Sequence, residues 1–336
     1  MTSFDLSGEA RLAFQNREYS TALRLAKDHL RRWPGDRSAL LMAARAATRS
    51  GQPEKAETYY QKAGRLSLDD LHDRAFGLIR LKQVDQAAQI YREILADHPD
   101  DALSIKRLAA ILMDQLKYKE IPDLAARLIR VPGEEVAGQT LAGISAHVRK
   151  DFDQAAIAFG RVLELDPELR SMPLPSSMFW NHLAIDLMAQ GRNAEARAHL
   201  TRALEHSSDA GLQELLGQTY YHEGQVDEAE HCWRMALDRD PDSIDTLLDL
   251  GGLELKRSRA AEAITLLSRA TRLSPGSVEA FHNLGMACKM AGDPTAAERY
   301  LRRASDLRKG GNPAPVDDFR PGPIPSRTMG ESKSIR

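Results

Sequence analysis

The 336-residue chain has two cysteines, Cys232 and Cys288, with no CxxC or Cys/His spacing around either. That excludes a disulfide framework and a structural zinc module, and it fits a reducing compartment. Aromatic residues make up only 6% of the chain, whereas 46 of its residues are alanine. Sheets depend on aromatic and β-branched residues and close-packed helices on small ones, so the class expected is all-α. Charge of one sign is lacking as well: 46 basic against 48 acidic residues leave a net charge of −2. No general attraction to nucleic acid or to anionic lipid is expected from such a balance. Long hydrophobic runs are missing, since no window approaches the roughly 18 apolar residues of a membrane span. The stretch Met1 to Glu9 has neither a basic n-region nor an apolar h-region. A cytoplasmic protein without membrane insertion is therefore expected.

Self-similarity is plentiful. From Ala210 to Ser243 the chain carries Leu216-Gly217, Tyr220, Gly224, Ala229, Trp233, Ala236 and Pro241, at places 7, 8, 11, 15, 20, 24, 27 and 32 of a 34-residue unit. Sliding that template along the sequence places nine units, beginning near Ser3, Arg37, Leu68, Ala102, Val136, Ser177, Ala210, Ile244 and Val278. Place 8 is always small: Ala10, Ala44, Ala75, Ala109, Gly143, Ala184, Gly217, Gly251 and Gly285. Place 20 is Ala22, Ala56, Ala87, Ala155, Ala196, Ala229, Ala263 and Ala297, with Ile121 the exception. Small residues there let two antiparallel helices approach to ~8 to 10 Å, and place 24 supplies bulk such as Tyr60, Phe159 and Trp233 to fill the remaining gap. Proline at place 32 cannot continue the second helix, and Gly51, Gly191, Gly224 and Gly292 at place 15 suit a left-handed helix end.

This pattern resembles the tetratricopeptide repeat (TPR), over nearly the whole chain to about Lys309. The resemblance implies an all-α, right-handed α-solenoid of helix-turn-helix units. One join, near Ser67-Leu68, is short, and one is long. The long one, Glu168 to Ser176, contains Pro173 and Pro175, which force extended backbone on their predecessors. It is read as dividing units one to five (3–176) from units six to nine (177–309), with a possible bend in the superhelix. Glu9 stands at place 7, where an interior unit would have Leu, so unit one looks adapted to water as a terminal repeat must be. Nothing similar is visible at the other end. Residues 310–336 form a Pro-rich tail expected to be disordered; its Val316 to Pro325 stretch could serve as a linear ligand, cover the open end of the array, or stay unbound.

In the TPR family a concave groove lined by the first helices holds an extended peptide or a partner helix. Carrying its groove places onto this chain gives a basic N-terminal stretch of Arg11, Arg45, Arg49 and Arg80, beside Phe76 and Ile79. Units four to six contribute Leu103, Lys106, Met113, Ile144, His147, Met178, Asn181, Ile185 and Met188. Later units give Gln218, Tyr221 and His222, with Glu214, Asp245, Leu248, Lys256, His282 and Asn283. Basic residues next to an adaptable Met/Ile/Phe surface would suit an amphipathic or acidic-apolar partner segment. The alternative for each apolar position is packing against the next unit, and for each arginine pairing with a neighbouring carboxylate. The Lys/Asn clamp that some TPR arrays use on a chaperone C-terminus is absent, since Asn283 alone has the right type at place 6, where Asp249 and Leu215 precede it.

Ten histidines scatter without HExxH or a complete ligand set, and no GxxxxGK[ST], strand-preceded GxGxxG or GxSxG occurs. No catalytic site, metal or cofactor is expected, and the residues after unit nine are too few for a catalytic domain. Two functions fit. One is a protein interaction scaffold or assembly factor; the other is a non-catalytic subunit that recruits substrate to a separate enzyme or secretion complex. RNA binding lacks the recurring base-reading pairs it needs. End-to-end self-association through the open array ends is a further possibility.

Overall fold

A computed structural model describes residues 6–310. The proposed tail ligand or cap, and most of the expected disordered tail, lie outside those residues. The chain divides into two compact units, Met1–Leu174 and Pro175–Arg336. Among the described residues the regular structure is helical, with no strand.

The first unit holds α1 (Leu6–Gln15), α2 (Tyr19–Arg32), α3 (Arg37–Arg49), α4 (Pro53–Ala63), α5 (Leu68–Arg80) and α6 (Val84–Asp97). It continues with α7 (Ala102–Asp114), α8 (Ile121–Ile129), α9 (Glu135–Val148) and α10 (Phe152–Leu165). The second unit holds α11 (Ser176–Ala189), α12 (Asn193–Leu204), α13 (Ala210–His222), α14 (Val226–Arg239), α15 (Ile244–Lys256), α16 (Ala260–Leu273), α17 (Val278–Met290) and α18 (Pro294–Arg308). Within each unit a helix packs mainly on the next one and on the next but one. Apart from α1, the first helix of every pair begins within one residue of the position that the 34-residue period predicts.

Local chemistry sets those starts. Asp36, Ser67, Asp101, Asp209, Ser243 and Ser277 each accept a backbone N–H two or three residues on, capping α3, α5, α7, α13, α15 and α17. Four of these caps stand two residues after Pro34, Pro99, Pro241 or Pro275, so one short motif stops the second helix of one pair and starts the first helix of the next. The turn inside each pair ends left-handed at place 15 in all nine pairs. Gly51, Gly191, Gly224 and Gly292 occupy it in four, and Arg17, Lys82, Leu116, Lys150 and Ser258, with φ between 58° and 62°, in the other five.

The small columns pack as expected, with one refinement: place 8 abuts place 24. A Cβ added to Gly217 would fall 2.6 Å from the Trp233 ring, and one added to Gly143 would fall 2.5 Å from Phe159. The same close approach holds for Gly251 against Leu267 and Gly285 against Leu301, both at 2.7 Å, while alanine stands at place 8 in the pairs with Tyr60, Tyr91 or Leu200 at place 24. The pair α7/α8 departs from the template. A single 3-10 turn, Tyr118–Glu120, precedes a second helix of only nine residues. Its Ile121 at place 20 is fully buried, and place 24 is the equally buried Ala125, so bulk has moved by one turn with the volume conserved.

In the last described pair arginines lie over aromatic rings. The guanidinium of Arg303 lies 5.6 Å from the Phe281 ring centroid and that of Arg299 lies 4.8 Å from that of Tyr300. Long arginine stems cover the aromatic surface, with Arg299 exposed and Arg303 half-buried. Both cysteines, Cys232 and Cys288, are buried and free. No described helix is long and apolar enough to cross a membrane.

Candidate functional site

The first unit contains a depression of about 530 Å³. Phe14 and Tyr19, packed edge to face at 5.3 Å, are among its lining residues. Arg45 and Arg49 of α3, Asp69, His72, Asp73 and Phe76 of α5, and Tyr91, Leu103 and Arg107 also line it. Four expected groove residues, Arg45, Arg49, Phe76 and Leu103, thus come together. Phe76 and Leu103 are 41% and 45% exposed, large for apolar side chains of a repeat face.

Most of the charge there is already matched. Arg45 Nε donates to the buried Asp70 Oδ1 at 2.6 Å, and Ser67 Oγ donates to Asp70 Oδ2 at 2.6 Å. Burial by itself would raise the Asp70 carboxyl, but the Arg45 and Ser67 hydrogen bonds outweigh it and hold the group below its ordinary value. Arg49 pairs with Asp73 at 2.8 Å and His72 approaches Asp101 at 3.1 Å. Arg80 donates to the Thr48 carbonyl at 3.3 Å. Arg45 and Arg49 are thus answered by α5 carboxylates, and the depression is less basic than its arginines alone suggest. Arg107 is different: it is exposed, and no carboxylate among the described residues pairs with it.

The remaining expected positions do not join this depression. Arg11 is exposed beside a narrow recess over Ala26, His29 and Met42. Ile79 and Met113 pack against the core of α5 to α8, and Lys106 reaches Glu134 at 2.6 Å. Ile144 and His147 on α9 are half-buried. In the second unit Met178 is exposed, and Asn181, Ile185 and Met188 are half-buried along α11.

Further along the second unit the same face is tied by hydrogen bonds. Gln218 Nε2 donates to Glu214 Oε1 at 3.3 Å and to Asp249 Oδ2 at 3.1 Å. Ser243 Oγ and Thr246 Oγ1 donate to Glu214 Oε2 at 3.1 and 2.7 Å. Burial pushes the Glu214 and Asp249 carboxyls up, and the neighbouring Asp245 adds to the rise. The Lys256 ammonium bonds the Tyr221 hydroxyl and lies 4.7 Å from its ring centroid. His222 is exposed at the end of α13. No cluster of three or more potential metal ligands occurs among the described residues.

Asp69, His72, Asp73 and Arg107 were missed as site residues although a signal was present. They occupy places 2, 5 and 6 of their units, the same places from which the groove set was drawn. Tyr19 had no such signal, because it reaches the depression from the start of a second helix.

Nine successive helix pairs among the described residues, packed through small columns, define an α-helical repeat array. Three family models described as tetratricopeptide repeat match residues 8–67 and 182–244, 73–101, and 242–310, together more than half of the sequence. The chain belongs to the tetratricopeptide repeat family. Protein CTR9 homolog of Arabidopsis thaliana is 21% identical over 78% of this chain and 31% of its own length. Superkiller complex protein 3 of Homo sapiens is 23% identical over 88% of this chain and 22% of its own. The Peroxisomal targeting signal receptor of Candida albicans is 32% identical over 28% and 16% respectively. The chain spans less than a third of the length of these curated relatives. Among solved structures, MamA matches 55% of this chain and 99% of its own at 20% identity and a TM-score of 0.44. A tetratricopeptide repeat protein from Parabacteroides merdae matches 70% and 91% at 16% identity and a TM-score of 0.47.

Proposed function

We propose that this protein is a non-catalytic interaction scaffold that binds a partner polypeptide segment on the first-helix face of its repeats, in the cytoplasm and without nucleic acid. The observation that carries the reading is the first-unit depression, where exposed Phe76 and Leu103 stand beside an unpaired Arg107. Exposed apolar side chains next to an uncommitted cation fit an apolar side chain next to a carboxylate, the chemistry of an acidic-apolar segment. A relative named as a targeting-signal receptor is in keeping with capture of a segment.

A second reading, a non-catalytic subunit that brings substrate to a separate enzyme or secretion complex, is favoured by the relative named as a component of the superkiller complex. Cross-linking of the intact chain in its native cell, followed by mass spectrometry, tests both. Cross-links from a distinct protein to α3, α5 and α7 support the scaffold, and a co-purifying catalytic chain favours the second reading. Links confined to other copies of this chain, joining the two array ends, would count against both.

The variants that weaken the scaffold need choosing with care. Charge reversal of Arg45 would set two carboxylates together around buried Asp70 and unfold the pair rather than probe binding. Phe76→Glu and Leu103→Glu change exposed positions and leave the ion pairs intact.

A further inference from the structure

Of the three tryptophans, Trp180 and Trp233 are buried, at 7% and 2% exposure, whereas Trp33 is 47% exposed. Trp33 ends α2 at place 31, where α6, α10, α14 and α16 end on His98, Asp166, Asp240 and Ser274. The fold is thus served by a polar residue there, and it does not call for an exposed aromatic. The Trp33 ring packs on that of His29, with centroids 4.6 Å apart, and His29 Nε2 donates to Asp36 Oδ2 at 2.7 Å, so the indole has a fixed backing. The surface around it is basic. Arg31 and Arg32 precede Trp33, and Arg37 follows it at the start of α3; the Arg37 guanidinium donates to the Arg65 carbonyl, which brings exposed Arg65 and Lys62 from the end of α4 to the same edge. Asp28 pairs with Arg31 at 2.8 Å and Asp36 with His29, whereas Arg32, Arg37, Lys62 and Arg65 pair with no carboxylate among the described residues. The corresponding joins further along the first unit, Asp97 to Asp101 and Glu164 to Glu168, carry three carboxylates each. The near balance of the whole chain therefore conceals a local excess of positive charge between α2 and α4.

We propose that this edge docks on an anionic lipid bilayer, with Trp33 at headgroup depth and Arg32, Arg37, Lys62 and Arg65 against the negative headgroups. An indole, apolar in body and with one N–H, favours the boundary between hydrocarbon and water. Cations beside it are drawn to acidic lipid. A turn with one exposed tryptophan suits a surface, while a single-stranded nucleic acid needs several aromatics to stack successive bases. The acidic joins further along are repelled by the same headgroups, so contact is confined to the first two helix pairs. Such docking is peripheral and needs no spanning helix, and there is none among the described residues. The edge shares no residue with the lining of the first-unit depression, so it leaves that face open.

The test sediments the full chain with sucrose-loaded vesicles of phosphatidylcholine, alone or with about 30% phosphatidylserine, at ~0.1 M salt. Acidic vesicles should carry the protein down and neutral ones should not, and ~0.5 M salt should release it. The R32E/K62E chain should bind at least about tenfold more weakly, since each cation near such a surface contributes about fivefold. K82E/K150E makes the same charge change at exposed turns of the first unit and should leave binding unchanged. All four positions are exposed, and circular dichroism should show both variants folded. Brominated phosphatidylcholine in the acidic vesicles should quench the fluorescence of Trp33. Trp33→Phe should still sediment but lose the quenching, because Trp180 and Trp233 are buried.

A wild-type chain that stays in solution with acidic vesicles overturns the proposal. So does an equal loss in R32E/K62E and K82E/K150E, which would make the attraction general and not local. Quenching that survives Trp33→Phe would put the contact elsewhere on the molecule. Trp33-dependent binding of a single-stranded oligonucleotide, without binding to vesicles, would assign the edge to nucleic acid. None of these results bears on the depression, so capture of a partner segment there stands or falls separately.

Discussion

At the scale of single residues, some contacts are sensitive to a change of size or charge. Gly217 lies against the indole of Trp233, whose Nε1 donates to the Glu214 carbonyl at 3.2 Å. Adding one methyl there should cost about 1 to 3 kcal/mol, and chemical denaturation of Gly217→Ala followed by circular dichroism checks it. Arg45→Ala would leave the buried Asp70 carboxylate without its cation, a loss of about 1 to 3 kcal/mol at neutral pH. The lowered Asp70 value also fixes a sign. Stabilisation from this pair is complete above the ordinary carboxylate value and fades as pH falls through the lower folded value. Asp70→Asn should therefore remove part of the acid sensitivity of the first unit. Glu214 behaves in the opposite sense, because burial raises its carboxyl in the folded state. Its ionisation opposes folding, so its contribution improves as pH drops from neutral toward the ordinary carboxylate range. Glu214→Gln should flatten that part of the stability profile, and denaturation midpoints measured at several pH values would show a persisting slope if another group were responsible.

At the scale of elements, each helix pair repeats one solution: a cap after a proline turn, a small residue against a large one, and a left-handed residue between the helices. Much of this was legible in the sequence. First-helix starts followed from the 34-residue period, because caps, prolines and small columns recur in step. The left-handed turn was legible only where glycine marked it. At Leu116, φ is 58° with the side chain 72% exposed, a conformation that a side chain resists by about 1 kcal/mol. Leu116→Gly should thus stabilise the protein by up to about 1 kcal/mol, a rise in midpoint that thermal denaturation would register. The short α8 was less legible, since the exchange of bulk between Ile121 and Ala125 preserves volume while breaking the column. Charge pairs between successive pairs were hidden for another reason. Arg92 with Glu120, Lys106 with Glu134 and Arg234 with Glu262 are each 28 residues apart, a spacing that shows only once the helix pairs are stacked.

At the scale of the whole molecule, contacts within each unit join mainly sequence neighbours, so stability is summed locally along an array. A lesion should be felt nearby and fade with distance. Hydrogen exchange of Gly217→Ala should show lost protection in α13 to α16 and unchanged protection in α3 to α8; uniform loss across the chain would contradict local summation. The same locality explains what could be read of the site. Groove positions follow from the repeat register, residue by residue, but their charge state depends on which neighbour answers them, and α5 answers Arg45 and Arg49 while leaving Arg107 alone. The two cysteines have a separate consequence. Both thiols lie under helix packing, and burial pushes both up, that of Cys288 to about 11, so at neutral pH they are covered and protonated. The native chain is therefore close to chemically silent toward maleimides. A single cysteine introduced at an exposed turn such as Lys82 or Ser258 would accept a fluorophore alone, which makes the unaltered protein a ready background for distance measurements by energy transfer.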